Sequence, residues 1–394
     1  MNITSAQKRF WESPTDYIGK LPTTGKGVGV VVMDEGFDLS HPDLKGRVDE
    51  VYLTPNDRFD SDPVGHGTLV AGIINGNGSA SDGEIKGVAP EAKLYAMKVN
   101  LDPKAGWEAS SASVSAGIRW AVQNRDELNI KVINCSFVLP MVETLDPQTM
   151  QPNGLYDPLD DALKLAYEAG ITVVAGTGNF ADKMPIMTPA GNPKVIAVGA
   201  LDTNGTPQDL SDDTVATFSS RGKSSLGEDK PDILAPGVNI LSTNAANSSF
   251  EQLNVKNTKF AMAALRGPLN VVEKLAQAQV AKGWLPTSVL GLPEQQLREQ
   301  VLRCYEVKAT QGDNDGHPAY IAQNGTSEAS PVVAGVEANM YQADPALTPD
   351  EVKEILFSTA HPVAGARLAQ GHGAINAQAA IMEAMSRRSR RVAG

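Results

Sequence analysis

Short apolar runs rich in β-branched residues recur through the first two hundred residues, separated by polar or glycine-containing segments. The runs cover residues 28–33, 93–99, 131–137, 171–175 and 195–198. Between several of them, as in residues 111–123 and 159–169, apolar positions recur at helical spacing. Because strands that are buried on both faces are apolar throughout, this alternation predicts an α/β fold, with a mostly parallel central sheet covered by helices on both faces.

A second pattern occupies residues 245–319, which are rich in Ala, Leu, Gln and Lys and have helical spacing in residues 260–280 and 294–305. Polar, turn-rich segments lie on both sides, and the first pattern resumes at residue 320, as expected for a helical insertion in a surface loop. The predicted organisation is a main domain of residues 1–244 and 320–386, a helical insertion of residues 245–319, and a disordered basic tail of residues 387–394.

The charge balance excludes several classes of partner. The chain has 46 Asp and Glu against 34 Lys and Arg, a formal net charge of -12, so we expect no nucleic-acid partner. No apolar stretch is long enough for a membrane helix, and residues 1–20 contain no signal-like apolar core. The chain has two cysteines, Cys135 and Cys304, which we expect to be reduced, and the predicted location is the cytoplasm.

Three residues stand in contexts that suit covalent catalysis. Asp34 ends the apolar run 28–33, His66 lies between two glycines, and Ser327 lies in the turn NGTSEASP ahead of an apolar run. A serine hydroxyl becomes a nucleophile when a histidine removes its proton and a carboxylate holds that histidine. The alternative for Ser327 is an ordinary helix N-cap.

The segments VVVMDEGFDLSHPDL, GHGTLVAG and NGTSEASP resemble the aspartate, histidine and serine motifs of the subtilisin family of serine proteases, in the same chain order. KGVAPEAKLYAMKV, ITVVAGTGN and KPDILAPGVNIL extend the resemblance over most of residues 25–380 outside the insertion, and it is strongest to the intracellular branch. The resemblance implies a three-layer subtilisin-like fold and serine endopeptidase activity. It assigns Asp34, His66 and Ser327 as the catalytic triad and Asn179 as an oxyanion donor, although Asn179 could also cap a turn.

The resemblance also implies a substrate-binding set. The S1 pocket would lie between residues 136–138 and 176–178, and residues 106–108 and 136–138 would be the extended segments that pair with a peptide backbone. Val138 stands where glycine is usual and Met187 lies near the pocket floor, so we expect a narrow S1 pocket. The complete set is Glu35, Gly106, Trp107, Glu108, Ser136, Phe137, Val138, Gly176, Thr177, Gly178 and Met187.

Glu35 departs from the family pattern, because Ser or Thr usually follows the catalytic aspartate. In the proprotein convertases an acidic residue at this place faces the substrate side chain just before the scissile residue. Glu35 therefore either makes the S2 pocket attractive to Lys or Arg, or points away as a surface carboxylate.

We expect no required cofactor and no catalytic metal, since no histidines have the spacing of metal ligands. Structural calcium is common in subtilases, and the loop of residues 75–83 offers oxygen ligands, but it looks more like the loop of intracellular subtilases that lack the ordinary calcium site. The insertion could be a lid over the cleft, a docking surface for a partner protein, or passively packed.

Three functions fit these residues. The first is an endopeptidase that cleaves peptides or proteins through an acyl-enzyme, either in general turnover or in processing a particular partner. The second is a catalytically latent or inactive subtilase-fold protein that binds peptides. The third is an esterase with the same triad. The intact set of triad and oxyanion residues favours catalysis, and the expected peptide-pairing segments favour the endopeptidase.

Overall fold

The computed structural model describes residues 12–393, except 54–61, 103, 105, 141–142, 146–151, 156–157, 283–284, 303, 305–308 and 311–316. Within these residues the strands are β1 (Gly29–Asp34), β2 (Val48–Val51), β3 (Lys93–Lys98), β4 (Ile130–Cys135), β5 (Glu143–Leu145), β6 (Pro152–Leu155), β7 (Thr172–Gly176), β8 (Ile196–Asp202), β9 (Thr214–Val215), β10 (Gly222–Lys223), β11 (Asp229–Lys230), β12 (Ile233–Pro236), β13 (Ile240–Thr243) and β14 (Tyr320–Gln323). The helices are α1 (Pro14–Ile18), α2 (His66–Asn75), α3 (Trp107–Gln123), α4 (Pro158–Glu168), α5 (Ser249–Arg266), α6 (Leu269–Ala281), α7 (Glu294–Leu302), α8 (Thr326–Ala343), α9 (Pro349–Thr359), α10 (Arg367–Gln370) and α11 (Ala377–Ala393).

The central sheet has the strand order β12-β8-β7-β4-β1-β3-β2, and β9 adds to β8. Every pair along that path is parallel, and β9 alone in this sheet is antiparallel to its neighbour. Each of the six residues of the central strand β1 is buried, as its continuous apolar run predicted. The mostly parallel α/β sheet expected from the sequence is confirmed.

Helices cover both faces of the sheet. Because neighbouring side chains on a strand point to opposite faces, Val30 and Val32 pack into the core formed with α2 and α8, while Val31 and Met33 pack into the core formed with α3 and α4. The three-layer arrangement is therefore confirmed. In this arrangement, helices that follow the strands begin at the carboxyl edge of the sheet.

The insertion is helical and has its own apolar cluster. The predicted helix over residues 260–280 is two helices, α5 and α6, separated at Gly267 and Pro268, where proline interrupts the helical backbone. The helix predicted over residues 294–305 is α7, and Tyr305 lies outside the described residues. The cluster of the insertion includes side chains of the antiparallel pair β13 and β14, so the insertion packs against the strand that leads into α8.

The basic tail predicted to be disordered is instead the end of α11, which continues to Ala393. Arg387 pairs with Glu354 of α9 at 3.0 Å, and Arg391 pairs with Glu351 of the same helix. The prediction was wrong because it treated the arginines as a like-charged run without considering acidic partners brought close by the fold.

Cys135 and Cys304 are free thiols, as expected. Burial raises the pKa of the Cys135 thiol, which makes it unreactive. Across the part of the chain that the structure describes, no helix combines the length and apolar character needed to cross a membrane.

Candidate active site

Asp34 and His66 meet at one edge of the sheet because of where their elements end and begin. Asp34 is the last residue of β1, and His66 is the first residue of α2. Open α/β sheets place their sites at this carboxyl edge. Nδ1 of His66 lies 2.9 Å from Oδ1 of Asp34 and 3.0 Å from Oδ2, so the carboxylate can hold the imidazole through either oxygen.

The glycines beside His66 permit this approach. Gly65, the N-cap of α2, has a φ of 95°, in the region that side chains disfavour. A Cβ atom at Gly67 would lie 2.1 Å from the carbonyl oxygen of Gly36 and 2.9 Å from Cβ of Asp34. The backbone geometry therefore requires the two glycines, and the chemistry requires the histidine between them.

The Asp34–His66 pair is largely buried, and neighbouring charged groups shift the pKa of both residues. The side chain of Asp34 is 0% exposed and that of His66 is 17% exposed. Burial pushes the pKa of Asp34 upward, but the charge of His66 and hydrogen bonds from Glu35 and His66 outweigh it, so this pKa is lowered. Burial acts to lower the pKa of His66, whereas the carboxyl groups of Asp34, Glu35 and Glu328 raise it to about 10.

Glu35 faces the same pair and does not point away, so the surface-carboxylate alternative is wrong. Its Oε2 lies 3.8 Å from Nδ1 of His66, and its side chain is 25% exposed. Burial and the neighbouring Asp34 raise the pKa of Glu35 to about 10. Among the described residues, Asp34, Glu35 and His66 are the one group of His, Cys, Asp and Glu side chains whose possible ligand atoms all lie close together, within 4.8 Å of one another.

Ser327 is the second residue of α8, which packs against α2. Its Oγ donates a hydrogen bond to the backbone carbonyl of Ser136 at 2.8 Å, and the Ser136 hydroxyl donates to the Ser327 carbonyl at 2.9 Å. Because a hydroxyl has one proton, Ser327 gives it to the Ser136 carbonyl in this geometry and does not donate it to His66. Catalytic hydrogen bonds often form fully only when substrate is bound.

Asn179 and the backbone nitrogen of Ser327 converge beside Gly325. The N–H group of Thr326 donates to Oδ1 of Asn179 at 2.9 Å, which leaves Nδ2 of this exposed side chain available to a ligand. A Cβ atom at Gly325 would lie 3.2 Å from Nδ2 of Asn179 and 3.5 Å from the Ser327 nitrogen. Two N–H donors near one point, at the N-terminal end of α8, suit a developing oxyanion.

Three residues at the site were not identified from the sequence. Glu328 is 2% exposed and is one of the charges near His66; its position inside the serine motif was an available signal. Asp62 is buried and accepts two backbone N–H groups at the start of α2. The ring of Phe250 lies 6.1 Å from that of His66, and no sequence signal pointed to it because it lies in the insertion.

The two segments expected to frame the S1 pocket leave neighbouring strand ends. Cys135 of β4 pairs with Ala175 of β7, so residues 136–138 and 176–178 start side by side. The N–H group of Gly178 donates to Oγ1 of the threonine preceding Ser327 at 3.0 Å, which ties one segment to the serine turn. The structure thus brings both segments to the carboxyl edge.

The expected floor lies beside the first of these segments. Leu139 forms an antiparallel bridge with Thr188, with 2.8 Å between the Leu139 nitrogen and the Thr188 oxygen. This bridge joins the segment that contains Met187, which is 9% exposed, to the segment that contains the half-buried Val138. The narrowness of the S1 pocket stays a prediction.

The expectation that residues 106–108 form an extended segment is wrong. Gly106, with a φ of 88°, is the N-cap of α3, and Trp107 and Glu108 lie in its first turn. Trp107 is 39% exposed. The apolar periodicity placed the helix start at residue 111 because the first turn of α3 does not face the core. A helical first turn cannot pair with a peptide as a strand does.

A cavity of about 580 Å³ lies beside Glu35. Its lining residues are Glu35, Leu53, Lys98, Val99, Asn100, Leu101, Asp102, Ala109, Ser113 and Ala116. The cavity therefore extends from the end of β1 along the chain that leaves β3 to one face of α3. Its mixed apolar and charged lining suits a side chain with a polar end.

A doubly covered parallel sheet that carries Asp, His and Ser at its carboxyl edge, in this chain order, defines the class of subtilisin-like serine peptidases. The sequence matches the profile of the subtilase family over residues 25–373. The chain belongs to the subtilase family.

Individual relatives agree with this assignment. The chain is 35% identical over 335 residues to the serine protease AprX of Bacillus subtilis (strain 168), a match that covers 84% of this chain and 61% of that protein. Subtilisin E of the same organism is 34% identical over 223 residues, covering 56% of this chain and 49% of the relative. The chain thus spans less than two thirds of the length of these relatives.

Solved structures support the fold. Fervidolysin from Fervidobacterium pennivorans, described as a keratinolytic enzyme related to subtilisin, aligns with a TM-score of 0.62 at 25% sequence identity. The alignment covers 96% of this chain and 47% of the fervidolysin chain. The S41 psychrophilic protease aligns with a TM-score of 0.59 at 23% identity, covering 92% of this chain and 96% of that chain.

Proposed function

We propose that the protein is a serine endopeptidase that hydrolyses peptide bonds of peptides or proteins through an acyl-enzyme. The observation that carries the proposal is the hydrogen bond of 2.9 Å between His66 and the buried Asp34, at the edge of the sheet where the helix that contains Ser327 begins. In this mechanism Ser327 attacks the scissile carbonyl and His66 takes its proton. Asp34 holds the imidazole and stabilises the imidazolium that forms.

The negative oxygen of the tetrahedral intermediate would be bound by Nδ2 of Asn179 and the N–H group of Ser327. His66 then gives its proton to the leaving amine, and a water molecule, activated by His66, releases the acyl group from Ser327. For the first step the Ser327 hydroxyl must leave the carbonyl of Ser136, to which it donates at rest. We propose that a bound substrate displaces this hydrogen bond, since the segment that contains Ser136 is part of the expected cleft.

Labelling with a fluorophosphonate probe tests the proposal, because the probe forms a covalent bond with an activated serine hydroxyl. We expect native protein to be labelled at Ser327 and a Ser327→Ala variant to remain unlabelled. Cleavage of a peptide library by native protein that has not been treated with the probe would then separate a peptidase from an esterase. If folded native protein is not labelled, the latent peptide-binding alternative replaces the peptidase.

Calcium is not needed to hold the loop of residues 75–83 in our proposal. A calcium ion requires oxygen lone pairs directed at it. The buried carboxylate of Asp43 instead accepts the N–H groups of Gly78 at 3.2 Å and Ala80 at 2.9 Å, and the hydroxyl of Tyr320 at 2.9 Å. These donors occupy Asp43, so the residues present do not fit a calcium site that uses this carboxylate.

The insertion, in our proposal, forms one side of the cleft and docks protein substrates or a protein partner. The N–H groups of Ser249 and Phe250 donate to the carbonyls of Pro63 and Val64, just before His66. A groove of about 340 Å³ continues along α5. Lys256 and Lys259 line this groove together with Glu251, whose carboxylate is paired with His317 at 2.7 Å, so the lining favours acidic segments. Passive packing of the insertion is the alternative.

A cytoplasmic location and a role in processing a dedicated partner belong to the same proposal. Both cysteines are free thiols, which is usual in reducing compartments. The helical insertion beside His66 and the departures from the family pattern at Glu35 and Val138 favour restricted substrates over general turnover.

A further inference from the structure

Three carboxyl groups face His66, and they come from different elements. Asp34 is the last residue of β1, Glu35 follows it directly, and Glu328 lies in the first turn of α8. Phe250 of α5 provides an apolar face. The carboxylate of Asp62, which also acts on Glu35, is already bound by backbone N–H groups at the start of α2. The most closely placed group after Asp34 is Glu35.

The carboxyl groups of Asp34 and Glu35 have oxygens within 4.8 Å of each other, and two carboxyl groups at such a distance do not both ionise easily. Asp34 is the one held ionised, although it is fully buried, because it is paired with His66 and accepts the N–H group of Glu35 at 3.0 Å. Among the described residues, Oε1 of Glu35 is buried without a hydrogen-bond partner. A negative charge on Glu35 would therefore lack a donor at one oxygen and face the charge of Asp34 at close range.

We propose that Glu35 keeps its carboxyl proton at neutral pH and directs it toward Asp34, so that the two carboxyl groups together present one negative charge to His66. Glu35 is then a positioning residue, since it acts on His66 through Asp34 and does not react. The raised pKa of Glu35, about 10, agrees with the geometry. Two charged residues, Lys98 and Asp102, line the adjoining cavity, and their charges are opposite in sign and offset each other beside Glu35.

The proton on Glu35 has a defined effect on catalysis, which rests on the proposed peptidase function. While Glu35 is neutral, only one negative charge of the Asp34–Glu35 pair stabilises the protonated form of His66. When Glu35 loses its proton to solvent at alkaline pH, a second negative charge stabilises the imidazolium. This charge raises the pKa of His66, so neutral His66 forms only at a higher pH. Glu35 therefore reduces the fraction of active enzyme in the alkaline range and not in the neutral range.

Infrared difference spectroscopy tests the protonation state without requiring turnover. The samples are full-length Ser327→Ala protein with and without the added substitution Glu35→Gln, at pH 7 and at pH above 10. We expect a protonated carboxyl C=O band at pH 7 that is lost in Glu35→Gln and disappears at the higher pH. A matched Glu127→Gln variant, at an exposed position, should retain the band. Absence of a Glu35-dependent band at pH 7 would overturn the proposal.

The pH dependence of kcat/KM supplies a second test in the active enzyme. A neutral Glu35 predicts that the ratio of kcat/KM for Glu35→Gln over wild type, measured with a peptide that has Leu at P2, is constant around pH 7 and rises several-fold as the pH approaches 10. An ionised Glu35 predicts instead that the variant is faster by about tenfold or more at pH 7, because one pKa unit of His66 changes its neutral fraction tenfold. That result would overturn the inference while leaving the peptidase function intact. If fluorophosphonate does not label wild type, the peptidase function fails and the infrared test still decides the proton on Glu35.

Discussion

The rings of Phe250 and His66 form a T-shaped contact, with centroids 6.1 Å apart and planes at 77°. Phe250 is the second residue of α5, so the insertion begins directly beside the imidazole. The N-cap Ser248, whose side chain accepts the N–H group of Glu251 at 3.1 Å, fixes the start of this helix. Glu251 also pairs with His317 at the other end of the insertion, at 2.7 Å. The insertion is thus anchored at the site from both of its ends.

Substitution of Phe250 by alanine should open the cleft beside His66. We expect kcat/KM to rise a few fold for peptides with a bulky residue on the leaving-group side and to change little for those with glycine there, because removing the ring creates space. Peptide series that vary this position would measure the effect. Leu253→Ala is the matched control, since Leu253 is 56% exposed on the same helix. Equal specificity of the three proteins would favour passive packing of the insertion.

The contrast between Phe250 and the Asp34–His66 pair shows what could be predicted from the sequence. Asp34 and His66 lie where a strand ends and a helix begins, and the flanking glycines mark the local geometry, so their meeting follows from patterns near each residue. Phe250 reaches His66 only through the tertiary packing of an insertion that matches no family motif. Contacts of that kind depend on how two independent units pack, and periodicity carries no information about it.

The amide nitrogen of Asn179 should contribute to the rate and not to substrate binding. We expect Asn179→Ala to lower kcat by about two to three orders of magnitude with little change in KM, because an oxyanion donor acts on the transition state. Asn179→Asp is a second variant that keeps an acceptor for the N–H group of Thr326 but loses the donor. Steady-state kinetics, with fluorophosphonate labelling to count active sites, would measure both. A loss confined to KM would contradict the oxyanion role.

The preference for a basic residue before the scissile residue should depend on pH. A protonated Glu35 has no charge to attract an arginine at pH 7, whereas above pH 10 the ionised carboxylate does, since its pKa is about 10. We expect the ratio of kcat/KM for P2 Arg over P2 Leu peptides to rise a few fold between pH 7 and pH 10.5 in wild type. The ratio should stay flat in Glu35→Gln. A strong preference for P2 Arg already present at pH 7 in wild type would contradict this.

Glu35 and Trp107 also show why the substrate-binding residues were harder to predict than the triad. Sequence position placed Glu35 beside the cleft but left its direction open, because the orientation of one side chain depends on its electrostatic neighbours. For Trp107 the surface-facing first turn of α3 gave no apolar signal, so an extended segment was expected where a helix begins.

The loop of residues 75–83 should be stable without calcium and sensitive to loss of a hydroxyl group. We expect the thermal midpoint Tm to be unchanged by excess EGTA or by added calcium, measured in the Ser327→Ala background to prevent autolysis. Tyr320→Phe should destabilise the protein by about 1–2 kcal/mol, because the buried carboxylate of Asp43 loses a donor at 2.9 Å. A calcium-dependent Tm in wild type that Asp43→Asn abolishes would contradict the hydrogen-bonded loop.

Glu337 should make the protein less stable as the pH rises. Its side chain is fully buried in α8 and accepts the hydroxyl of Thr172 at 2.6 Å, and burial raises its pKa to about 8.

In the unfolded chain this carboxyl ionises near its ordinary pKa of 4.5, so between that pH and about 8 the folded state binds more protons than the unfolded state. The free energy of unfolding therefore falls with rising pH across this window, by an amount of the order of 2–4 kcal/mol from this one group. Glu337→Gln retains an acceptor for Thr172 and cannot ionise, so it should remove this part of the slope. Denaturant unfolding at pH 5 and pH 8, in the Ser327→Ala background, would measure the difference. Parallel pH dependences in the two proteins would show that Glu337 ionises in the folded chain as it does in the unfolded one.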